Sequence, residues 1–426
     1  MQTESFFKPV FITCLLAAVL NSGAAEKTSF RFFFGSGKVE PGFTPVSPAN
    51  NYSSETGYGF EPGASVVQTD REDHDSSGIR FCTSDKPFYF SVALPEGNYE
   101  VTVTLGGPES GSTNTIKAEL RRLMLEKVST AAGKFETRTF AVNVRTPKIA
   151  GGGEVHLKDR EKTTEIWDWD EKLTLEFNGL QPSVCKLEIE RADDLPTVYI
   201  LGDSTVCDQP KEPWNSWGQM LPRFFTAGVV VANNAESGET LRSSLGAKRL
   251  DKVLSTMKPG DYLFIQFGHN DMKDRATNAV AAYKSNLKRF VNGAKEKGGI
   301  PVLVTSMERK NGVEHDTLGD YPAAVREAAK EENVALIDLH AMSRIFYKAL
   351  GPEKIDRAFQ DGTHHNNYGS YELAKCIIVG IQQNKLDLTK FIVDDFKGFD
   401  PAYPDPFETF EMPPSPGSTG ARPLGD

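Results

Sequence analysis

Four short polar segments of this 426-residue chain carry residue types suited to nucleophilic chemistry. The first is Gly202-Asp203-Ser204-Thr205, directly after the apolar run at 197–201. A serine at a helix start faces outward-pointing N–H groups, which stabilise an activated hydroxyl or an oxyanion; an N-cap serine has the same setting and no chemistry. The second is Asn233-Asn234-Ala235-Glu236-Ser237-Gly238. Gly238 permits close backbone approach and offers an unobstructed N–H, the bland alternative being a turn. The third is Gly268-His269-Asn270-Asp271, where the Asn270 amide suits a developing oxyanion. Asn and Asp side chains also simply hold strand-end turns. The fourth is Asp361-Gly362-Thr363-His364-His365-Asn366. Asp361 and His364 share one loop, so the carboxylate can hold one imidazole nitrogen while the other faces a serine. The chain order Ser, Asp, His is a permitted one, although no GxSxG elbow is present. Metal binding by His364 and His365 is the competing use. Adjacent histidines point apart in most conformations, and neither an HExxH pattern nor a cysteine cluster accompanies them. Cys207 is close to Ser204 but lacks an adjacent base.

The elements around these segments explain their placement. From residue 197 onward, apolar runs at 197–201, 229–232, 262–267, 301–305 and 334–339 alternate with helical patterns at 217–225, 248–257, 279–297, 321–332, 341–350 and 368–382. Continuous β-branched runs between amphipathic helices predict a parallel sheet covered on both faces. Active residues then gather beyond the C-terminal strand ends, where three of the four segments fall. Residues 29–192 read differently. Tyr99, Val101, Val103 and Leu105 alternate with polar residues, as do Leu173, Leu175 and Phe177, and then Leu187 and Ile189. Period-2 alternation predicts strands of an antiparallel β-sandwich. Pro95-Glu96-Gly97-Asn98 predicts a hairpin turn, and 120–127 fits strand or helix equally. The tail, 395–426, is rich in proline, with aromatics suited to draping over a surface.

Lys8, an apolar run at 10–20 and Ser22-Gly23-Ala24-Ala25 have the plan of a signal peptide over 1–25. A secreted or periplasmic protein without a membrane span is therefore expected. Cys14 would leave with that segment, so Cys82, Cys185, Cys207 and Cys376 would remain, as buried thiols or as bridges in any of three pairings. The net charge of −10 argues against a nucleic-acid partner. Asp70-Arg71-Glu72-Asp73-His74-Asp75 reads as a solvated loop in preference to a calcium site.

In this order and at these positions, the four segments resemble the sequence blocks of the GDSL, or SGNH, hydrolases, over residues 197–385. The resemblance implies a flavodoxin-like three-layer α/β/α domain at 197–394. It implies an ester hydrolase needing no metal or cofactor, with Ser204 as nucleophile, His364 as base and Asp361 as its orienter. The N–H groups of Ser204 and Gly238 and the Asn270 amide would form the oxyanion hole. The phrases Gly202-Asp203-Ser204-Thr205, Asn234-Ala235 and Asp361-Gly362-Thr363-His364 are most similar to rhamnogalacturonan acetylesterases, although Glu239-Thr240 stands where that family often has Arg-Ser. Acetylated polysaccharide is the implied partner, with Trp214, Arg242 and Lys273 as candidate substrate contacts. Residues 29–192 resemble galactose-binding-like sandwiches through Phe30–Phe34 and Gly57-Tyr58-Gly59-Phe60. The alternatives are a GDSL esterase for lipids, thioesters, aryl esters or xylan, and a non-catalytic carbohydrate-binding surface protein.

Overall fold

A computed structural model of the chain describes residues 27–35, 39–69, 81–107 and 111–416. The expected signal peptide with Cys14, the Asp70–Asp75 stretch and the tail beyond 416 lie outside the described residues.

The second half of the chain builds the predicted parallel sheet. Its strands are β1 (Thr197–Gly202), β2 (Val230–Asn233), β3 (Tyr262–Gln266), β4 (Ile300–Val304) and β5 (Ala335–Ile337), all parallel, in the order β2-β1-β3-β4-β5. This is the flavodoxin-like order, whose ligand crevice lies beside β1, where the strand order reverses. The strands are apolar along most of their length because both faces are covered. Val198, Ile200, Phe264, Val302 and Val304 pack with Trp217, Phe346 and Ile377 on one side. Tyr199, Leu201, Leu263, Ile265 and Leu303 pack with Val253, Leu287, Phe290 and Val325 on the other. Helices Arg249–Thr256, Ala279–Glu296 and Tyr321–Glu332 form one outer layer; Leu339–Lys354 and Asn367–Gln383 form the other. The helix expected at 341–350 continues to Lys354 through a kink at Gly351, ahead of Pro352. No helix among the described residues is long and apolar enough to cross a membrane.

The first half is the predicted sandwich. One sheet holds, in order, Lys134–Val144, Gly97–Gly107, Lys186–Arg191, Ser29–Phe33 and Thr44–Pro45; the facing sheet holds Tyr58–Phe60, Phe88–Ala93, Lys172–Leu180, Ser112–Ala118 and Arg122–Thr130. Phe32, Phe34, Phe60 and Phe90 meet edge to face between the sheets. Of the ambiguous stretch at 120–127, Leu120 and Arg121 form a turn and residues 122–127 are strand. The expected hairpin at 95–98 is not one: Phe88–Ala93 and Gly97–Gly107 lie in opposite sheets. Both strands carry inward apolar residues to the same core, so the turn arches over its edge, pinned by Tyr99 Oη donating to the Pro95 carbonyl at 2.7 Å. Cys82, Cys185, Cys207 and Cys376 are free and buried.

Buried charges join the two halves. Arg122, 1 % exposed, pairs with Asp208 of the second half at 2.9 Å and with Asp168 of the first at 3.3 Å. Arg121 pairs with Glu212 at 2.7 Å and donates to the Gln209 carbonyl at 2.8 Å. The tail closes the seam. Phe396, Phe399, Phe407 and Phe410 pack on the α/β core. Ser415 then donates from its N–H to Glu212 at 3.1 Å and from its hydroxyl to Glu176 at 2.6 Å.

Removing one partner of a buried pair leaves uncompensated charge, at a cost of about 3–5 kcal/mol. Arg122→Met is therefore expected to lower unfolding free energy by about that amount in denaturant titration. A loss below about 1 kcal/mol would show that the seam does not depend on this pair.

Candidate active site

The site is built at the end of β1. A Cβ on Gly202 would come within 2.7 Å of the Gln266 carbonyl, so only glycine fits. Asp203 follows, fully buried, and its Oδ1 accepts from the Thr205 N–H at 3.0 Å and the Thr205 hydroxyl at 2.7 Å. Its carbonyl accepts from the N–H groups of Val206 and Cys207. Ser204 thus sits in a single tight turn and does not open a helix; the next helix starts at Trp217, capped by Ser216. The Asp203 side chain holds this turn through Thr205. Burial opposes charge on Asp203, but His269 and the Thr205 bonds outweigh it and hold the carboxyl below its usual range. His269 lies 3.6 Å from Asp203 and bonds the Met307 carbonyl at 3.0 Å through Nε2, which must carry the proton.

Ser204, 2 % exposed, meets the fourth segment across 160 residues of chain: its Oγ is 2.8 Å from His364 Nε2. His364 Nδ1 is 2.9 Å from Asp361 Oδ2. Asp361 Oδ1 accepts from the backbone N–H groups of Thr363 and His364, each at 2.7 Å. Burial disfavours the Asp361 carboxylate, yet the His364 contact and these two N–H groups hold its carboxyl well below the usual range. A hydroxyl, an imidazole and an ionised carboxylate in line can pass the hydroxyl proton to the imidazole. His365 points away, as expected of an adjacent histidine. It exchanges a 2.7 Å hydrogen bond with Tyr347 and packs on Phe359. Burial, then His364, lowers its pKa to about 3.

The second segment lies beside this line. Asn233 donates to the Val206 carbonyl and to Asp208, both at 2.8 Å, and the Glu236 N–H bonds the Gly202 carbonyl at 3.1 Å. Gln209 links the two loops, donating to the Ser204 carbonyl at 2.6 Å and reaching Ser237 Oγ at 3.3 Å. Gly238 has a φ of 76°, the left-handed region that favours glycine. The N–H groups of Ser204 and Gly238 donate to no acceptor among the described residues. Buried backbone donors are seldom left so. In the third segment, Asn270 Nδ2 gives one hydrogen bond to the Glu239 carbonyl at 3.1 Å, and its Oδ1 accepts from Lys273 at 3.0 Å.

The candidate substrate contacts separate. Trp214 is 5 % exposed, and its carbonyl accepts from Arg121. Trp217 is in the core, its indole N–H on Gln266 at 2.8 Å. Arg242 is exposed and borders, with Asn270 and Asp271, a cleft of 180 Å³. Arg249, a cation near the second segment in sequence, is buried against Glu161 at 2.6 Å. Sequence reading missed Lys158 and Arg160 of the sandwich, which reach the second segment; within the charge run Lys158-Asp159-Arg160-Glu161 nothing marked them out. It also missed the partners of His340, which lies 3.2 Å from Glu308 and 3.2 Å from Arg326. Glu308, His340 and Asp316 are the one group among the described residues spaced to hold a metal ion. Both Glu308 oxygens already accept protein hydrogen bonds.

Comparison with known proteins agrees with this architecture. Residues 200–370 match the GDSL-like lipase/acylhydrolase family, and residues 30–145 match the galactose-binding domain-like family of β-agarase/YXIM esterases. The rhamnogalacturonan acetylesterase RhgT of Bacillus subtilis is 38 % identical over 217 residues, covering 46 % of this chain and 94 % of that protein. The esterase YxiM of the same organism is 29 % identical over 399 residues, 88 % of this chain and 97 % of that one. The crystal structure of YxiM aligns over 84 % of this chain and 99 % of its own, at 25 % identity and a TM-score of 0.46. The chain belongs to the GDSL-like lipase/acylhydrolase family, as a carboxylic ester hydrolase whose hydrolase domain follows a galactose-binding-like domain.

Proposed function

We propose that the protein is a secreted acetylesterase that removes O-acetyl groups from a pectic polysaccharide of the rhamnogalacturonan type, through an acetyl-enzyme on Ser204. The observation that carries the mechanism is the unbroken line from Ser204 Oγ through His364 to Asp361. His364 Nε2 takes the serine proton as Oγ bonds to the acetyl carbonyl carbon. It gives that proton to the sugar oxygen as the C–O bond breaks. Water then repeats the attack, its proton going to His364, and acetate leaves with Ser204 restored. Asp361 stays ionised and holds the imidazole in the useful tautomer. The free N–H groups of Ser204 and Gly238, with the second Asn270 Nδ2 hydrogen, receive the oxyanion.

Support for the substrate class comes from the relationship to RhgT, over 94 % of its length. The site loops, rich in Asn, Asp, Ser and His, suit a hydrated sugar better than an alkyl chain. Export rests on the apolar run at 10–20 and the small residues after it. The division at 29–192, 197–394 and 395–426 is part of the same proposal. Arg242 and Lys273 remain the proposed cations toward a galacturonate chain.

Ser204→Ala and His364→Ala should each lower turnover by about 10⁴-fold or more, and together by little more than either alone. Near-normal turnover in either folded variant overturns the assignment. Asn270→Ala is expected to reduce kcat by about 10²–10³-fold with little change in KM; a defect confined to KM would move Asn270 to ground-state binding. EDTA should leave the rate unchanged, and loss of activity restored by zinc would overturn the metal-free chemistry. The substrate is tested by kcat/KM on acetylated rhamnogalacturonan, acetylated xylan and a long-chain acyl ester. The first should lead, and preference for the long-chain ester would contradict the polysaccharide assignment.

A further inference from the structure

We propose that Lys158 and Arg160, on the loop between the sandwich strands Lys134–Val144 and Lys172–Leu180, are positioning residues for the Gly238 N–H, so that the sandwich completes the oxyanion hole of the hydrolase domain. This rests on the function proposed above. Both cations hold one atom, the Ser237 carbonyl oxygen: Lys158 Nζ lies at 2.5 Å and Arg160 Nη2 at 2.5 Å.

That carbonyl belongs to the peptide unit whose N–H is Gly238's. The unit is the centre of a β-turn over 236–239, closed by the Glu239 N–H on the Glu236 carbonyl at 3.3 Å. Gly238, at the third position with a φ of 76°, matches a type II turn. Flipping the central peptide converts such a turn to type I, and glycine tolerates either sign of φ at small cost. The turn alone therefore does not fix where the N–H points. The single cis peptide among the described residues is Glu212-Pro213, so the 237–238 unit is trans. In a trans unit the C=O and N–H point in opposite directions. Two cations drawing the Ser237 carbonyl toward the sandwich thus aim the Gly238 N–H away from it, where no acceptor among the described residues takes it. Charge-assisted bonds to that carbonyl also polarise the N–H toward a developing anion.

The cations are anchored at both ends of the turn. Arg160 bonds Glu236 through Nε at 2.7 Å and also through Nη2, with Glu165 at 3.5 Å; Lys158 pairs with Glu239 at 2.9 Å. The loop that carries them is tied down by the His156 N–H on the Ala247 carbonyl at 3.0 Å.

The test uses the full chain with Lys158→Met and Arg160→Met combined, assayed on a small soluble acetyl ester that offers the sandwich no sugar to bind. The expected result is a kcat at least about tenfold lower with KM within about twofold, and Arg160→Lys alone retaining most of the rate. A folded double variant with kcat within about twofold of wild type overturns the proposal. Adding Glu236→Gln guards against an unpaired buried carboxylate; burial, then Glu161, already pushes the Glu236 carboxyl up to about 7. If the combined variant fails to fold, Lys158→Met carries the test, since Lys158 is 32 % exposed. Its kcat should fall about threefold at constant KM, and an unchanged kcat overturns the proposal. An active Ser204→Ala enzyme would instead overturn the underlying function. An inactive Ser204→Ala beside a fully active double variant would overturn the positioning role alone.

Discussion

The 2.8 Å contact between Ser204 Oγ and His364 Nε2 joins the first strand of the α/β domain to the loop before its last helix. Neither residue is held by its own segment alone. Ser204 depends on the Asp203 turn, which depends on Thr205, and Thr205 on the Gln266 amide at the end of β3. His364 depends on Asp361, and its neighbour His365 on Tyr347 and Phe359. A short hydrogen bond between such distant residues survives only if the strand ends and both loops are rigid at the scale of a few tenths of an ångström. Much of the polar interior serves that rigidity.

The same requirement accounts for the charge buried between the two domains. Arg121, Arg122, Lys117, Glu176, Glu212 and Asp208 are all under a tenth exposed. Buried ion pairs are poor sources of net stability, because desolvation offsets their attraction. Their geometric specificity is of more use here. Arg121 donates to the carbonyls of Gln209 and Trp214, which flank the turn leading away from Ser204. Ser415 of the tail lies where Lys117, Glu176 and Glu212 meet. The sandwich therefore acts as a brace on the segment that follows Ser204.

Much of this was legible in sequence. The continuous runs around Val198–Leu201 and Tyr262–Ile265 announce strands covered on both faces, and they are. The three-residue spacing of Asp361 and His364 is the spacing the loop uses. The differences have physical causes that a local reading does not contain. The 95–98 turn carries ordinary hairpin chemistry, and only the partners of its strands, far away in sequence, decide that it crosses between sheets. A serine directly after an apolar run suits a helix start or an N-cap; here the Asp203 side chain holds a tight turn and no helix begins until Trp217. Trp214, a candidate substrate contact, is 5 % exposed, and its carbonyl accepts from Arg121 of the first half of the chain. Lys158 and Arg160 sit in a run of alternating charges, and no local pattern shows that the run folds onto Ser237.

Covalent acylation of Ser204, driven by proton removal by His364, is the step on which the proposed mechanism turns. It is tested most directly by reacting the full chain with a nitrophenyl alkylphosphonate, which stalls as a stable analogue of the tetrahedral intermediate, and mapping the adduct by peptide mass spectrometry. A single adduct on Ser204, formed with loss of activity and far more slowly in His364→Ala, is the expected result. An inactivated enzyme labelled elsewhere, at Cys207 for instance, or an enzyme that stays unlabelled while hydrolysing acetyl esters, would contradict it.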